Sequence, residues 1–221
     1  RFFTILSSNI FSLCFAGWNQ STSCLGHVKL MNIISIKDFY KLKDTDKKTL
    51  IEDIFYCKQE HDNKPNTKGI NTNFCVYLDR ANVLEKIYDK ILETTREIFT
   101  KVELADNNSK KCWSLCTNKN YWKSVPHNHI NTSTLNSVYY LQVPQINGEF
   151  CGKVKFLSDN KWIEYQPMPN ELLIFPNDLI HDTTYHDTDD WRISLNFEII
   201  TNHKVSILNI TDKYLFEIIN N

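Results

Sequence analysis

Three short segments in the second half of the chain carry chemically active residues. They are His127 with His129, His181 alone, and Arg192 with Ser194. Alternate residues of an extended strand point to the same side, so His127 and His129 can face one ion together. With His181 they would supply three ligands on one face of that ion and leave its other positions open. Imidazole suits Fe(II), zinc, copper and nickel, so the residue types alone do not select the metal.

Arg192 lies within an alternating apolar segment. A charged side chain is unfavourable there unless it faces a cavity that receives an anion. A guanidinium group can bind a carboxylate through two parallel hydrogen bonds. Ser194 shares the strand face of Arg192, and Tyr139 or Tyr140 of a neighbouring strand could donate a further hydrogen bond. The pattern predicts an anion-binding position near the histidines.

Each segment taken alone has a simpler interpretation. A single histidine at a strand end is most often structural or solvated, and the arginine could pair with Glu198 or Asp190. His186 is a rival of His181, but it lies in the polar stretch 182–190, which is typical of a solvated loop. The three segments together, in this order within a strand-rich region, favour the metal site.

The elements that would position these side chains change their period along the chain. Helical spacing of apolar residues predicts helices over 46–59 and 82–100, with a docking segment at 36–42, a polar loop over 61–73 and a short strand over 74–78. From residue 112 the period is two, which predicts strands over 112–117, 136–143, 152–157, 162–166, 171–175 and 191–199. Such a set indicates a barrel or jelly roll, in an α+β fold whose N-terminal helices brace one sheet.

Composition limits the class of protein. A chain of 221 residues can form one domain with one core, and its net charge of -1 without a Lys/Arg cluster argues against nucleic acid or an anionic membrane as main partner. Seven cysteines, an odd number without a CxxC pair, indicate reduced thiols. We expect an extension or leader remnant at 1–30 and a single domain at 31–221, with helical support at 31–110 and a barrel at 111–200. The expected location is the cytoplasm, although residues 1–17 resemble a leader and leave secretion open.

The ordered segments resemble the 2-oxoglutarate/Fe(II) oxygenase superfamily, above all bacterial and phage members with the pattern H-x-H, Y-Y-L, F-P, H and R-x-S. The resemblance covers 112–199, and its parts are His127-x-His129, Tyr139-Tyr140-Leu141, Phe175-Pro176, His181 and Arg192-Ile193-Ser194. It implies a double-stranded β-helix, a jelly-roll or cupin-like barrel. It also implies an Fe(II)- and 2-oxoglutarate-dependent dioxygenase that hydroxylates a small molecule, peptide or protein.

The resemblance implies roles for single residues. His127 and His181 match the first and distal metal ligands, and Arg192, eleven residues after His181, matches the residue that binds the cosubstrate. Tyr140 would help to hold the far carboxylate of 2-oxoglutarate. The superfamily has an Asp or Glu where this chain has His129, so a three-histidine site would carry one negative charge less and bind Fe(II) more weakly.

Two other interpretations remain open at this point. A cupin-like enzyme with a three-histidine metal site and no 2-oxoglutarate suits His129 slightly better and Arg192 less well. A barrel without metal would serve as a binding module. The sequence indicates neither the substrate nor the oligomeric state, and it leaves open whether His129 or another group is the third ligand.

Overall fold

The computed structural model describes residues 33–61, 70–73, 81–99, 102–105 and 111–202. The expected leader remnant at 1–30 and the expected strand at 74–78 lie outside these residues. Along the chain the described elements are β1 (Ile34–Ile36), α1 (Asp44–His61), β2 (Ile70–Asn73), α2 (Ala81–Ile98), β3 (Lys111–Thr117), β4 (Leu135–Gln142), β5 (Gln145–Ile146), β6 (Glu149–Phe150), β7 (Val154–Ser158), β8 (Lys161–Tyr165), β9 (Leu172–Pro176), β10 (His181–Thr183) and β11 (Arg192–Ile199).

Most of the described strands belong to two antiparallel sheets. The larger sheet has the spatial order β1-β9-β4-β11-β3-β2, and the smaller sheet has the order β10-β7-β8. Strands β5 and β6 form a separate hairpin. Because β4 and β11 are distant in sequence but adjacent in the larger sheet, the centre of that sheet joins the two segments that carry Tyr140 and Arg192.

The two faces of the larger sheet meet different surroundings. On β11, Ile193, Leu195 and Phe197 belong to a buried cluster that also contains the apolar stripe of α2. The alternate residues Arg192 and Ser194 point to the opposite side and line a cavity. Period-two alternation thus separates a helix-covered apolar face from a polar face on one strand.

Two apolar clusters hold these layers together. The first packs α1 and α2 against the larger sheet and includes the fully buried Ile54, Ile87 and Ile91. The second includes Phe156 of the smaller sheet and Phe175 of the larger sheet, which pack edge to face with ring centroids 5.3 Å apart. No helix of the described residues is long and apolar enough to cross a membrane.

The six strands predicted from residue 112 onward are confirmed to within two residues at each end, and both helices are confirmed within the described ranges. The described cysteines, Cys57, Cys112, Cys116 and Cys151, form no disulfide with one another, in agreement with the expected reduced thiols. The polar loop expected over 61–73 is wrong at its end, because Ile70–Asn73 pairs with β3 as an edge strand. An edge strand has one neighbour and tolerates polar residues, so its sequence lacks the apolar alternation of a central strand.

Truncation of Ile91 tests the packing of α2 on the sheet. Ile91 is 0% exposed, so Ile91→Ala should lower the free energy of unfolding by roughly 2–5 kcal/mol through lost burial and a residual cavity. The measurement is urea unfolding followed by circular dichroism. Lys86→Ala on the exposed face of the same helix is the control and should change the free energy by about 0.5 kcal/mol or less. Equal losses for both variants would contradict the packing described.

Candidate metal centre and anion pocket

Three histidine side chains converge where β10 faces the segment before β4. His127, His129 and His181 each place a ring nitrogen within 4.8 Å of the others. Their ring centroids are 4.5 Å apart for His127 and His181, 5.0 Å for His127 and His129, and 5.3 Å for His129 and His181. Ligands at right angles on bonds of about 2.1 Å are roughly 3 Å apart, so three nitrogens within 4.8 Å of one another are a candidate ligand set for one ion.

Backbone hydrogen bonds fix the positions of these residues. His127 and His181 form an isolated antiparallel bridge, in which each backbone N–H donates to the carbonyl of the other at 3.2 and 3.0 Å. The backbone N–H of His129 donates to the carbonyl of Asn177 at 2.8 Å. The paired backbone therefore brings together residues that are about fifty positions apart in sequence.

The hydrogen bonds of the rings indicate which nitrogen of each ring a metal ion would bind. His127 Nδ1 donates to the carbonyl of Val125 at 2.9 Å, and His181 Nδ1 donates to the carbonyl of Leu179 at 3.0 Å. A carbonyl only accepts, so both rings carry their proton on Nδ1. Coordination would then use Nε2, the arrangement common to metal-binding histidines.

His129 differs from the other two histidines in its partner. Its Nδ1 lies 2.9 Å from Oε1 of Glu198, which also accepts a hydrogen bond from the hydroxyl of Thr132 at 2.6 Å. Glu198 is 4% exposed and belongs to β11, on the same strand face as Arg192. The alternative pairing of Arg192 with Glu198 is therefore wrong, because that carboxylate is turned to the histidines.

A cavity of about 80 Å³ extends from the histidines between the two sheets. Its polar lining includes Tyr140, Arg192 and Ser194, and its apolar lining includes Val138 and Phe175. The structure thus brings all six sequence-predicted site residues to one cavity.

Asp182 also lines this cavity, but its carboxylate accepts hydrogen bonds from the Ser124 hydroxyl and from backbone N–H groups. Among the described residues, no carboxylate belongs to the group of converging ligand atoms.

Arg192 is a buried cation in this cavity. It is 1% exposed, its Nε donates to the carbonyl of Gly152 at 2.9 Å, and its Nη1 donates to the hydroxyl of Ser194 at 3.4 Å. Its guanidinium carbon lies 5.0 Å from the centre of the Tyr140 ring. No carboxylate of the described residues forms an ion pair with it, and burial lowers the pKa of Arg192. A buried charge without a counterion is costly, so the site suits an anion.

The two tyrosines of β4 face opposite sides of the sheet. The Tyr139 hydroxyl donates to the carbonyl of Tyr40 at 2.6 Å on the helix side. The Tyr140 hydroxyl is buried at the cavity and makes no hydrogen bond within the described part of the chain. Burial raises the pKa of Tyr140, so its hydroxyl stays protonated and can donate a hydrogen bond. Of the two candidates left by the sequence, Tyr140 is the one that faces Arg192.

His186 is buried, so the expectation that it lies in a solvated loop is wrong. It is 4% exposed, its Nε2 lies 3.4 Å from the Thr117 hydroxyl, and its Nδ1 has no partner among the described residues. The polar stretch around it is held against the protein by backbone hydrogen bonds from Lys119 to Thr188 and from Thr184 to Lys153. Burial, and then the charge of Arg192, lower the pKa of His186, so the ring is neutral near pH 7.

The donor set fits a particular chemistry. Three imidazole nitrogens suit a first-row divalent ion such as Fe(II). A buried guanidinium and an unpartnered buried hydroxyl suit a carboxylate, which accepts hydrogen bonds from both. Sequence reasoning did not identify the roles of Glu198 and Gly152. For Glu198 a signal existed, since the parity that aligns Arg192 with Ser194 continues to Glu198.

Comparison with known proteins gives a likeness of fold. No family model matches the chain, and no curated protein matches its sequence. A prolyl-4-hydroxylase from Pseudomonas putida matches with a TM-score of 0.55 and 12% identity, over 76% of this chain and 93% of that one. A prolyl hydroxylase from Trichoplax adhaerens, in complex with a hypoxia inducible factor peptide fragment, matches with a TM-score of 0.57 and 11% identity, over 77% and 84%. HygX from Streptomyces hygroscopicus, with nickel and 2-oxoglutarate bound, matches with a TM-score of 0.51 and 9% identity, over 76% and 81%.

Gly152 and Gly148 form a matched pair that tests how tightly Arg192 is held. Both have positive φ, +76° and +85°, so an alanine would be strained at either position. A Cβ at 152 would lie 2.9 Å from Cδ of Arg192, whereas a Cβ at 148 would meet nothing within 4 Å. Gly152→Ala should therefore cost roughly 1–3 kcal/mol more free energy of unfolding than Gly148→Ala, because overpacking adds to the strain. Urea unfolding measures both, and equal costs would show that Arg192 moves away freely.

Proposed function

We propose that this protein is a 2-oxoglutarate- and Fe(II)-dependent dioxygenase that hydroxylates its substrate. His127, His129 and His181 would hold the iron, and Arg192, Tyr140 and Ser194 would hold 2-oxoglutarate. The observation that carries the proposal is the buried Arg192, which shares a cavity with the three histidines and has no carboxylate partner among the described residues.

The buried cation favours this function over a three-histidine enzyme that does not use 2-oxoglutarate. Such an enzyme has no need of a guanidinium deep in the metal cavity, where its desolvation is costly. 2-Oxoglutarate has one end that can chelate a metal and a carboxylate at the other end that requires a cationic partner. HygX has 2-oxoglutarate and a metal bound, and two other proteins of like fold are prolyl hydroxylases.

The same likeness supports a finer description of the fold. We infer that the larger and smaller sheets are the two halves of a double-stranded β-helix, within a single domain whose N-terminal helices cover the outer face of the larger sheet. The substrate, a small molecule or a peptide, would enter the cavity between the sheets.

Bound iron with 2-oxoglutarate would supply the chemistry of oxygen activation. The residues of this chain would orient and shield it. Arg192 would bind the far carboxylate through its two terminal nitrogens while Nε remains bonded to Gly152. Ser194 accepts a hydrogen bond from Nη1 and so orients the guanidinium group. Tyr140 would donate a hydrogen bond to the same carboxylate, and Val138 and Phe175 would exclude water.

The cosubstrate assignment is tested with three variants of adjacent strands. Arg192→Met should lower the affinity for 2-oxoglutarate by about 30-fold or more, because a charge-assisted anchor is worth roughly 2–5 kcal/mol. Tyr140→Phe should lower it by about 3- to 10-fold, the value of one hydrogen bond. Tyr139→Phe, on the other face of β4, should leave it unchanged. Anaerobic titration of the Fe(II) protein and release of succinate measure these effects. Succinate release that survives Arg192→Met would show that the cosubstrate is held elsewhere.

The metal ligands are tested by two histidine variants. His181→Ala should abolish stoichiometric Fe(II) binding, because two imidazoles do not retain the ion against a competing chelator. His186→Ala removes a buried histidine outside the converging group and should keep it. Anaerobic Fe(II) titration against a chromophoric chelator measures both. Retention by the first variant, or loss by the second alone, would refute the ligand set.

A further inference from the structure

The proposed iron site has no carboxylate ligand, and Glu198 lies immediately behind one of its histidines. Its Oε1 is 2.9 Å from Nδ1 of His129. His127 and His181 instead donate to neutral backbone carbonyls. The ring of His129 is thus bonded to a carboxylate, and this residue occupies the position that Asp or Glu has in the superfamily that the chain resembles.

We propose that Glu198 is a positioning residue for the metal site, and that it supplies through the ring of His129 the negative charge that a carboxylate ligand would supply directly. This inference rests on the proposed function. The carboxylate accepts the Nδ1–H of His129 and so directs Nε2 towards the ion. It also makes Nε2 of the imidazole a stronger electron-pair donor to the metal than a ring bonded to a neutral acceptor would provide.

Three observations on Glu198 and on the ring of His129 support this role. It is 4% exposed, and burial of a carboxylate is unfavourable unless it is hydrogen-bonded or paired. The Thr132 hydroxyl donates to the same Oε1 at 2.6 Å, which holds that oxygen in place. The Trp113 ring packs on His129 with centroids 5.7 Å apart, and the backbone N–H of His129 is bonded to Asn177. The ring is therefore held from several sides with its Nδ1 on the carboxylate.

Replacement of Glu198 separates its charge from its hydrogen bond. Glu198→Gln keeps an oxygen acceptor for Nδ1–H and removes the charge, whereas Glu198→Ala removes both. Glu164→Gln is the matched control, because Glu164 is an exposed acid paired with Lys153 on the smaller sheet. Thermal unfolding of each metal-free variant verifies that it remains folded.

Two measurements report on His129 without any turnover. The first is the tautomer of His129 in the metal-free protein, from long-range ¹H–¹⁵N correlation spectra. The second is the dissociation constant for Co(II) alone, by competition with a chromophoric chelator, together with the visible absorption of the bound ion. We expect Glu198→Ala to lose the Nδ1–H tautomer and to weaken Co(II) binding by about 10- to 100-fold. Glu198→Gln should keep the tautomer and show a smaller loss, and Glu164→Gln should match the parent.

The outcomes distinguish this inference from the proposed function. A folded Glu198→Ala protein that keeps both the tautomer and the parent affinity for Co(II) would overturn the inference while the function stands. The parent protein could bind Co(II) with the expected dependence on Glu198 and yet show no change in its Co(II) spectrum, and no release of succinate in its Fe(II) form, when 2-oxoglutarate is added. That result would refute the function and support the inference. A parent that binds no Co(II) would overturn both.

Discussion

A guanidinium group buried in the cavity at the start of β11 constrains the rest of this structure. Strand β11 must cover an apolar helix layer with one face and hold Arg192 on the other, so its residues alternate strictly between the two. The cavity wall has to satisfy the cation with polar atoms, and Gly152 and Ser194 provide two acceptors. The remaining donors of the guanidinium group could bind the carboxylate of an anion, as the proposed function requires.

The histidines depend on a second constraint, which is the pairing of short segments between sheets. His127 belongs to no long strand, yet its backbone pairs with His181 at the start of β10, and His129 is bonded to Asn177 after β9. These hydrogen bonds fix the backbone of the trio. The hydrogen bonds of the three Nδ1 atoms orient the rings as well.

The sequence predicted most of this framework, because long central strands have a clear period. Strand β11 was predicted with its pocket face, and the convergence of His127, His129 and His181 followed from the order of the segments. The three-residue strands β1 and β10 are too short to show a period, and the burial of His186 depends on backbone bonds that composition does not encode. The partner of Glu198 was not predictable either: parity gives its strand face, but the neighbour on that face is set by the path of the chain through residues 129–132.

The close approach of Gly152 to Arg192 has a consequence for how this protein can evolve. The carbonyl of Gly152 accepts a hydrogen bond from Arg192, and a methyl group at position 152 would lie too close to the arginine side chain. A substitution at one position therefore changes the cost of a substitution at the other, so their effects are not additive. Once the arginine is replaced by a shorter side chain, the steric constraint on position 152 is relieved, and only the positive φ still opposes a larger residue. The two positions form an epistatic pair, and the order in which they are replaced determines the cost of each step.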